Sequence, residues 1–133
     1  MADDGSRCFN AGIRIQTRLS QVKTFLIAPV RGYPSDTHAA IVKKLESEGY
    51  EVHWPARDTN QNDDPTGLRI CTDNAAAIGS ADIVHVVWDG KSQGVLFDLG
   101  VAFALGKMVI PVNLPPETVE RSFGNLVRAW TRR

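Results

Sequence analysis

The stretch Ala81 to Pro111, ADIVHVVWDGKSQGVLFDLGVAFALGKMVIP, limits what this chain can fold into more than any other. Asp82 to Trp88 is an apolar, β-branched run of strand length, and Asp89-Gly90-Lys91 is a tight turn. Gln93 to Leu105 has helix length and is apolar almost all round. Gly106 stops it, and Lys107 to Val112 is a second strand. Strands this apolar, joined through a helix, belong to a parallel sheet buried on both faces. One acid, Asp98, sits inside the apolar helix. Burying a carboxylate is costly unless it is paired or hydrogen-bonded. Asp98 therefore either leans back to the helix N-terminus, pairs with a local arginine, or serves as an active-site group at the mouth of the sheet.

The rest of the chain repeats the alternation. Lys23 to Val30 reads as a buried strand and Arg31-Gly32-Tyr33-Pro34 as a turn. Ser35 and Asp36 offer N-caps for a helix to about Gly49, with Ala39, Ile41, Val42 and Leu45 at roughly helical spacing. Tyr50 to Trp54 is the next strand. Pro55 to Gly67 is polar and too long for a mere connector, which suits a binding loop. Leu68 to Ile78 reads as a helix closed by Gly79, and Glu117 to Trp130 as a terminal helix. At 133 residues the chain is one domain by length. Residues 1–22 read as a flexible extension and residues 23–133 as the domain. The first twenty residues lack the apolar core of a secretory signal, although Ile13, Ile15 and Leu19 can form a helical turn.

Composition narrows the classes of function. Fifteen basic and fifteen acidic residues leave a formal net charge of zero, so nucleic acid and anionic membrane gain no support as partners. Arg128, Arg132 and Arg133 read as a solvated tail. Cys8 and Cys71 are far apart and read as free thiols in a reducing cytoplasm. No apolar run is long enough to span a bilayer. His38, His53 and His85 show no metal-ligand spacing, so no metal is expected. His85 lies within a strand and reads as a core or interface residue. There is no G-x-G-x-x-G and no Walker A loop, which disfavours a dinucleotide fold or an NTPase. A phospho-acceptor domain wants an acidic pair after the first strand, where this chain has Ala28-Pro29.

Open parallel sheets bind ligands beyond the carboxyl ends of their strands. The segments lying there are Pro29 to Pro34, Pro55 to Gly67, Trp88 to Gly94 and Asn113 to Pro116. Ser92-Gln93-Gly94 opens the apolar helix: Ser92 can cap it, and Gly94 lets an anion approach exposed backbone N–H groups. Plain capping explains the same residues. Arg31-Gly32 follows the first strand, and arginine suits bidentate contact with phosphate, though it is also an ordinary turn residue. Asp73-Asn74 is read near the start of the second helix, with Asp73 as a cap or as a polar group opposite Asp98.

FLIAPVRG, then AAIGSADIVHVVWDGKSQGVLFDLGVAFALGKMVI, resembles the nucleoside 2-deoxyribosyltransferase superfamily, and most closely its 2′-deoxynucleoside 5′-monophosphate N-glycosidase branch. The resemblance spans roughly Thr24 to Asn113. It rests on the helix motif from Ser92 to Ala102: Ser, x, Gly, x, x, aromatic, acid, Leu, Gly, x, Ala. It implies a flavodoxin-like, Rossmann-like α/β three-layer sandwich with a parallel sheet of four to five strands. It also implies cleavage or transfer at the N-glycosidic bond of a nucleoside or its 5′-monophosphate, with no metal or organic cofactor. By resemblance Asp98 holds the nucleophile position, and Asp73 or Asn74 assists the base. Arg31, Gly32, Ser92 and Gly94 hold phosphate, and Tyr33, Trp54 or Trp88 walls the base. The family is dimeric, with a polar residue of the partner's C-terminal region completing the site; Ser122 or Asn125 matches that part. Two positions depart from the family. Asp98 replaces the usual Glu, retracting the carboxylate by about 1.5 Å, the length of one C–C bond. A misplacement of about 1 Å can cost on the order of 100-fold in rate. Asn74 stands where the family often carries Asp. These departures keep one rival open, a nucleotide-binding module without catalysis; a TIR-like NAD glycohydrolase, which also uses an acidic residue on a related topology, is a third reading.

Overall fold

The computed structural model describes residues 21–31 and 35–132. Strand β1 is Lys23–Ile27, helix α1 Ser35–Ser47, β2 Glu51–His53, α2 Pro55–Asp58 and α3 Leu68–Ser80. Then follow β3 Ile83–Val87, α4 Gln93–Ala104, β4 Met108–Asn113 and α5 Phe123–Thr131. The four strands form one parallel sheet in the order β2-β1-β3-β4. The expected α/β architecture is therefore present, with four strands.

Alternation along the strands divides the core. Phe25 and Ile27 of β1 and Val84 and Val86 of β3 face one side, with Ile78 of α3 and Val95, Leu99 and Ala102 of α4. Leu26, Val52 and Val87 face the other side, with Val42 and Leu45 of α1. A period of two in the strands sets two faces, and right-handed crossovers place the helices on both. The chain leaves β1 toward β2 and leaves β3 toward β4, so α1 and α4 lie on opposite faces. That divergence opens a crevice between the carboxyl ends of β1 and β3. Edge strand β4 tolerates Pro111, which lacks a ladder donor, and its register slips there: Val86 pairs Pro111 but Val87 pairs Asn113. His85 is buried, with Nδ1 2.7 Å from Oγ1 of Thr24.

Several boundaries differ from expectation for local reasons. β1 ends at Ile27, and Ala28, Pro29 and Val30 lie outside the sheet. Helix α3 does not stop at Gly79 but runs on to Ser80. Gly79 instead gives room to α4: a Cβ on it would lie 3.8 Å from the tip of Leu105. Asp73 is not a cap, because α3 begins at Leu68. Gly67, at φ 80°, is the N-cap residue, and Asp64 Oδ2 accepts the N–H of Ile70 at 2.8 Å. Pro55 starts a single-turn helix inside the long polar loop, its missing N–H harmless at the first helical position. The terminal helix begins at Phe123 rather than Glu117. Ser122 caps it, and the Asn125 side chain folds back on Thr118 and Glu120, using the loop's backbone groups outside a helix.

Candidate active site

Turn chemistry shapes the rim of the crevice. Oδ1 of Asp89 accepts the N–H groups of Lys91 and Ser92 at 2.9 and 3.0 Å. Gly90, at φ 84°, completes the turn; Pro115 packs so close that a Cβ there would meet it at 3.0 Å. Ser92 then caps α4, its Oγ accepting the N–H of Val95 at 3.3 Å. Gly94 is exposed, with only the Ser92 hydroxyl near the place a Cβ would take. Arg31 is exposed on the segment after β1 and makes no ion pair among the described residues. Arg31 thus follows β1, while Ser92 and Gly94 follow β3. The structure brings a cation and a helix N-terminus to the two strands that border the crevice, an arrangement suited to an anion. Gly32 and Tyr33 lie outside the described residues.

Asp98 stands on the second turn of α4, beside α3. Val95 and Leu99 point into the core, whereas Asp98 is half-buried. It has no hydrogen bond or ion pair among the described residues. Burial pushes its pKa up to about 7. Neither alternative reading of Asp98, as a partner of a local arginine or a prop for the helix end, matches these contacts. Facing it on α3 is Cys71, a free thiol. Burial raises the pKa of that thiol, and the charges of Asp98 and Asp64 raise it further, so it stays protonated at neutral pH.

The two polar candidates on α3 part company. Asp73 is exposed and pairs with Arg69 one turn earlier, at 3.2 Å. Asn74 is buried, its Oδ1 accepting from the Thr59 hydroxyl at 2.8 Å. Thr59 in turn lies 2.9 Å from Nε2 of His53. The long polar loop is expected from the sequence to be a binding element, whereas Thr59 and His53 carry no motif. Cys71 carries one signal in the sequence: it precedes Asn74 by three residues, hence on the same face of α3.

The aromatic candidates are dispersed. Trp88 is 4 % exposed and packs in the core beneath α4, its Nε1 donating to the carbonyl of Ser92 at 3.2 Å. Trp54 packs on the opposite face of the sheet, beside the α1 cluster. Ser122 and Asn125 are engaged within their own loop and helix cap. Among the described residues no three His, Cys, Asp or Glu side chains are grouped as metal ligands would be, and no helix is long and apolar enough to cross a membrane.

The comparisons with known proteins agree with this fold. No curated protein matches the chain. Among solved structures, the chain is similar to the 2-deoxyribosyltransferase of Bacillus psychrosaccharolyticus, at 21% identity and a TM-score of 0.59, covering 74% of this chain and 77% of that one. It is also similar to the CMP N-glycosidase BcmB of Clostridium botulinum, at 20% identity and a TM-score of 0.55, covering 82% and 83%. At such identities the likeness is one of fold. The nucleoside 2-deoxyribosyltransferase family model matches residues 26–126. With a match over most of its length, the chain belongs to the nucleoside 2-deoxyribosyltransferase family, whose enzymes work at the N-glycosidic bond of nucleosides.

Proposed function

We propose that this protein cleaves or transfers the N-glycosidic bond of a nucleoside 5′-monophosphate, with Asp98 as the nucleophile. The observation that carries the reading is a carboxylate without partner among the described residues, half-buried beside a helix N-terminus that borders the sheet's crevice. An ionised Asp98 attacks C1′ as the bond to the base breaks, and the bonding pair leaves with the base. The result is a glycosyl ester on Asp98. Water then delivers hydroxide to C1′ and its proton to the base, which frees the carboxylate. A second base taking the place of water gives transfer instead. Partial burial supports the chemistry twice over. It weakens solvation of the attacking carboxylate, and it strengthens the field acting on the oxocarbenium-like transition state. Arg31, Ser92 and Gly94 hold the phosphate, together with Gly32, which lies outside the described residues, and Asn74 faces the base. The N-glycosidase neighbour, named for its action on CMP, supports a monophosphate substrate.

We further propose a homodimer. Phe97 and Phe103 of α4 and Phe123 and Leu126 of α5 are exposed, a set of large apolar side chains that suits a second copy of the chain. Val127 is buried in its own core and Trp130 packs edge-on against Phe103, so the dimer contact rests on the outer residues. Sedimentation at micromolar concentration should give twice the chain mass. The free thiol of Cys71 suits a cytoplasmic location.

The deciding experiment incubates the protein with ribo- and deoxyribonucleosides, their 5′-monophosphates and NAD, and separates free base by chromatography. Release from a monophosphate, lost in folded Asp98→Ala, supports the proposal. Two residues favour a second reading: Asp98 is a short acid, and Asn74 is an amide with no proton to give a leaving base. Binding of nucleotides with no base release on long incubation would select a binding module. Release of nicotinamide alone would select the TIR-like reading.

A further inference from the structure

His53, Thr59 and Asn74 form a chain of side-chain hydrogen bonds joining β2, the loop after α2, and the middle of α3. Nε2 of His53 lies 2.9 Å from the Thr59 hydroxyl, and that hydroxyl donates to Oδ1 of Asn74 at 2.8 Å. Thr59 and Asn74 are both buried. A hydroxyl has one proton to give. With that proton on Asn74, the Thr59 oxygen accepts from His53, whose ring must carry its hydrogen on Nε2. The ring is held by stacking on Phe25, with centroids 5.2 Å apart. The chain therefore runs in one direction, from His53 through Thr59 to Oδ1 of Asn74. Turning the amide round would need the opposite tautomer of His53.

This direction decides what Asn74 offers. Its oxygen is used, while its Nδ2 amino group makes no hydrogen bond among the described residues. Nor is that nitrogen sealed in: the one buried side-chain N or O atom without a partner, among the described residues, is Nε of Arg128. Helix α3 packs against α4, and Cys71, three residues before Asn74, feels the Asp98 charge, so Asn74 lies on the face of α3 that borders the Asp98 cleft. Asn74 presents that cleft with a hydrogen-bond donor that has no proton to release.

We infer that Thr59, backed by His53, is a positioning residue that aims the Asn74 amino group at the leaving base, and that the site thereby selects pyrimidine over purine nucleotides. The inference rests on the glycosidase reading above. When the bond from C1′ to a pyrimidine N1 breaks, the electron pair spreads onto the adjacent carbonyl oxygen. A donor aimed at that oxygen stabilises the departing anion more than the bound substrate, which is what lowers a barrier. The proton reaches the base later, from the water that hydrolyses the Asp98 ester. A purine has no carbonyl beside its glycosidic nitrogen and leaves most readily after a ring nitrogen is protonated. A carboxamide cannot supply that proton.

The test measures kcat and KM for base release from CMP, dCMP, AMP and dAMP. Wild type should turn over the pyrimidine nucleotides at least about tenfold faster. Thr59→Val should lower pyrimidine kcat by about tenfold with KM within about twofold, the loss of one hydrogen bond. It should also narrow the pyrimidine preference, and Thr59→Ser should restore both. Should Thr59→Val not fold, Asn74→Ala decides: a lost preference supports the inference and an unchanged preference overturns it. An active wild type that favours purines, or whose preference survives Thr59→Val, overturns this inference alone. A wild type that releases no base from any substrate removes the glycosidase reading, and this one with it.

Discussion

The Cys71 thiol on α3 lies within electrostatic reach of the Asp98 carboxylate on α4, whose charge makes the thiol harder to ionise. For Cys71, burial comes first and the charges of Asp98 and Asp64 add to it. For Asp98, burial is the cause, and the result is an acid with a pKa of about 7 in place of 3.8. A thiol that stays protonated leaves Asp98 as the group of the pair that ionises first.

That shift makes Asp98 a cost to stability. Between about pH 4 and pH 7 the folded protein keeps a proton on Asp98 that the unfolded chain has lost, so stability falls as pH rises through this window. Asp98→Asn removes the titration at almost constant shape. It should raise stability at pH 8 by on the order of 2 kcal/mol, and the gain should vanish toward pH 4. Denaturant melts of both proteins at pH 4, 6 and 8 measure it.

Activity should follow the opposite trend. Attack requires the carboxylate, so kcat/KM should climb tenfold per pH unit below pH 7 and level off above it. Asp98→Ala and Asp98→Asn should abolish base release. Asp98→Glu should keep or raise it, since the longer side chain regains the reach of one C–C bond. A pH profile of base release on the wild type and these variants gives the answer.

Arg31 should discriminate the phosphate. A charge-assisted hydrogen bond contributes roughly 1.5–3 kcal/mol. Arg31→Ala should therefore weaken binding of a 5′-monophosphate about tenfold or more and leave affinity for the parent nucleoside unchanged. Titration calorimetry with the two ligands makes the comparison.

Asn125 should matter for stability whether or not a partner subunit uses it. Its amide accepts the N–H of Thr118 at 3.0 Å and donates to the carbonyls of Thr118 and Glu120 at 2.7 and 2.9 Å. Asn125→Ala leaves those backbone groups to water and should cost on the order of 1–2 kcal/mol. A thermal melt should show a lower Tm for this variant, and proteolysis should cut faster within residues 117–122.

Patterning along the chain was enough for the sheet and its helices. Apolar runs of strand length at β1, β3 and β4, separated by helical spacing and closed by Gly49 and Gly106, admit little but parallel strands covered on both faces. Both glycines take positive φ, 102° and 69°, as such helix ends require. The lone acid was legible because an ionisable group in an apolar helix contradicts the pattern around it. Local capping was less so. Asp64 takes the capping role expected of Asp73, and the terminal helix starts after the Ser122 cap rather than at Glu117, because several polar residues near a helix start can cap it and backbone geometry chooses one.

What only the tertiary structure decided is which side chains meet. The chain by itself determined that Asp98 is an acid in an apolar helix next to a turn that can meet an anion. That Asp98 has no partner among the described residues, that Asp73 faces solvent while Asn74 faces the interior, and that Trp54 packs on the far face depend on how α3 and α4 are rotated against the sheet. The hydrogen-bond chain from His53 through Thr59 to Asn74 joins residues 6 and 15 positions apart. No periodicity connects them. A sequence pattern records one element's own face, whereas a site is made where the faces of different elements converge.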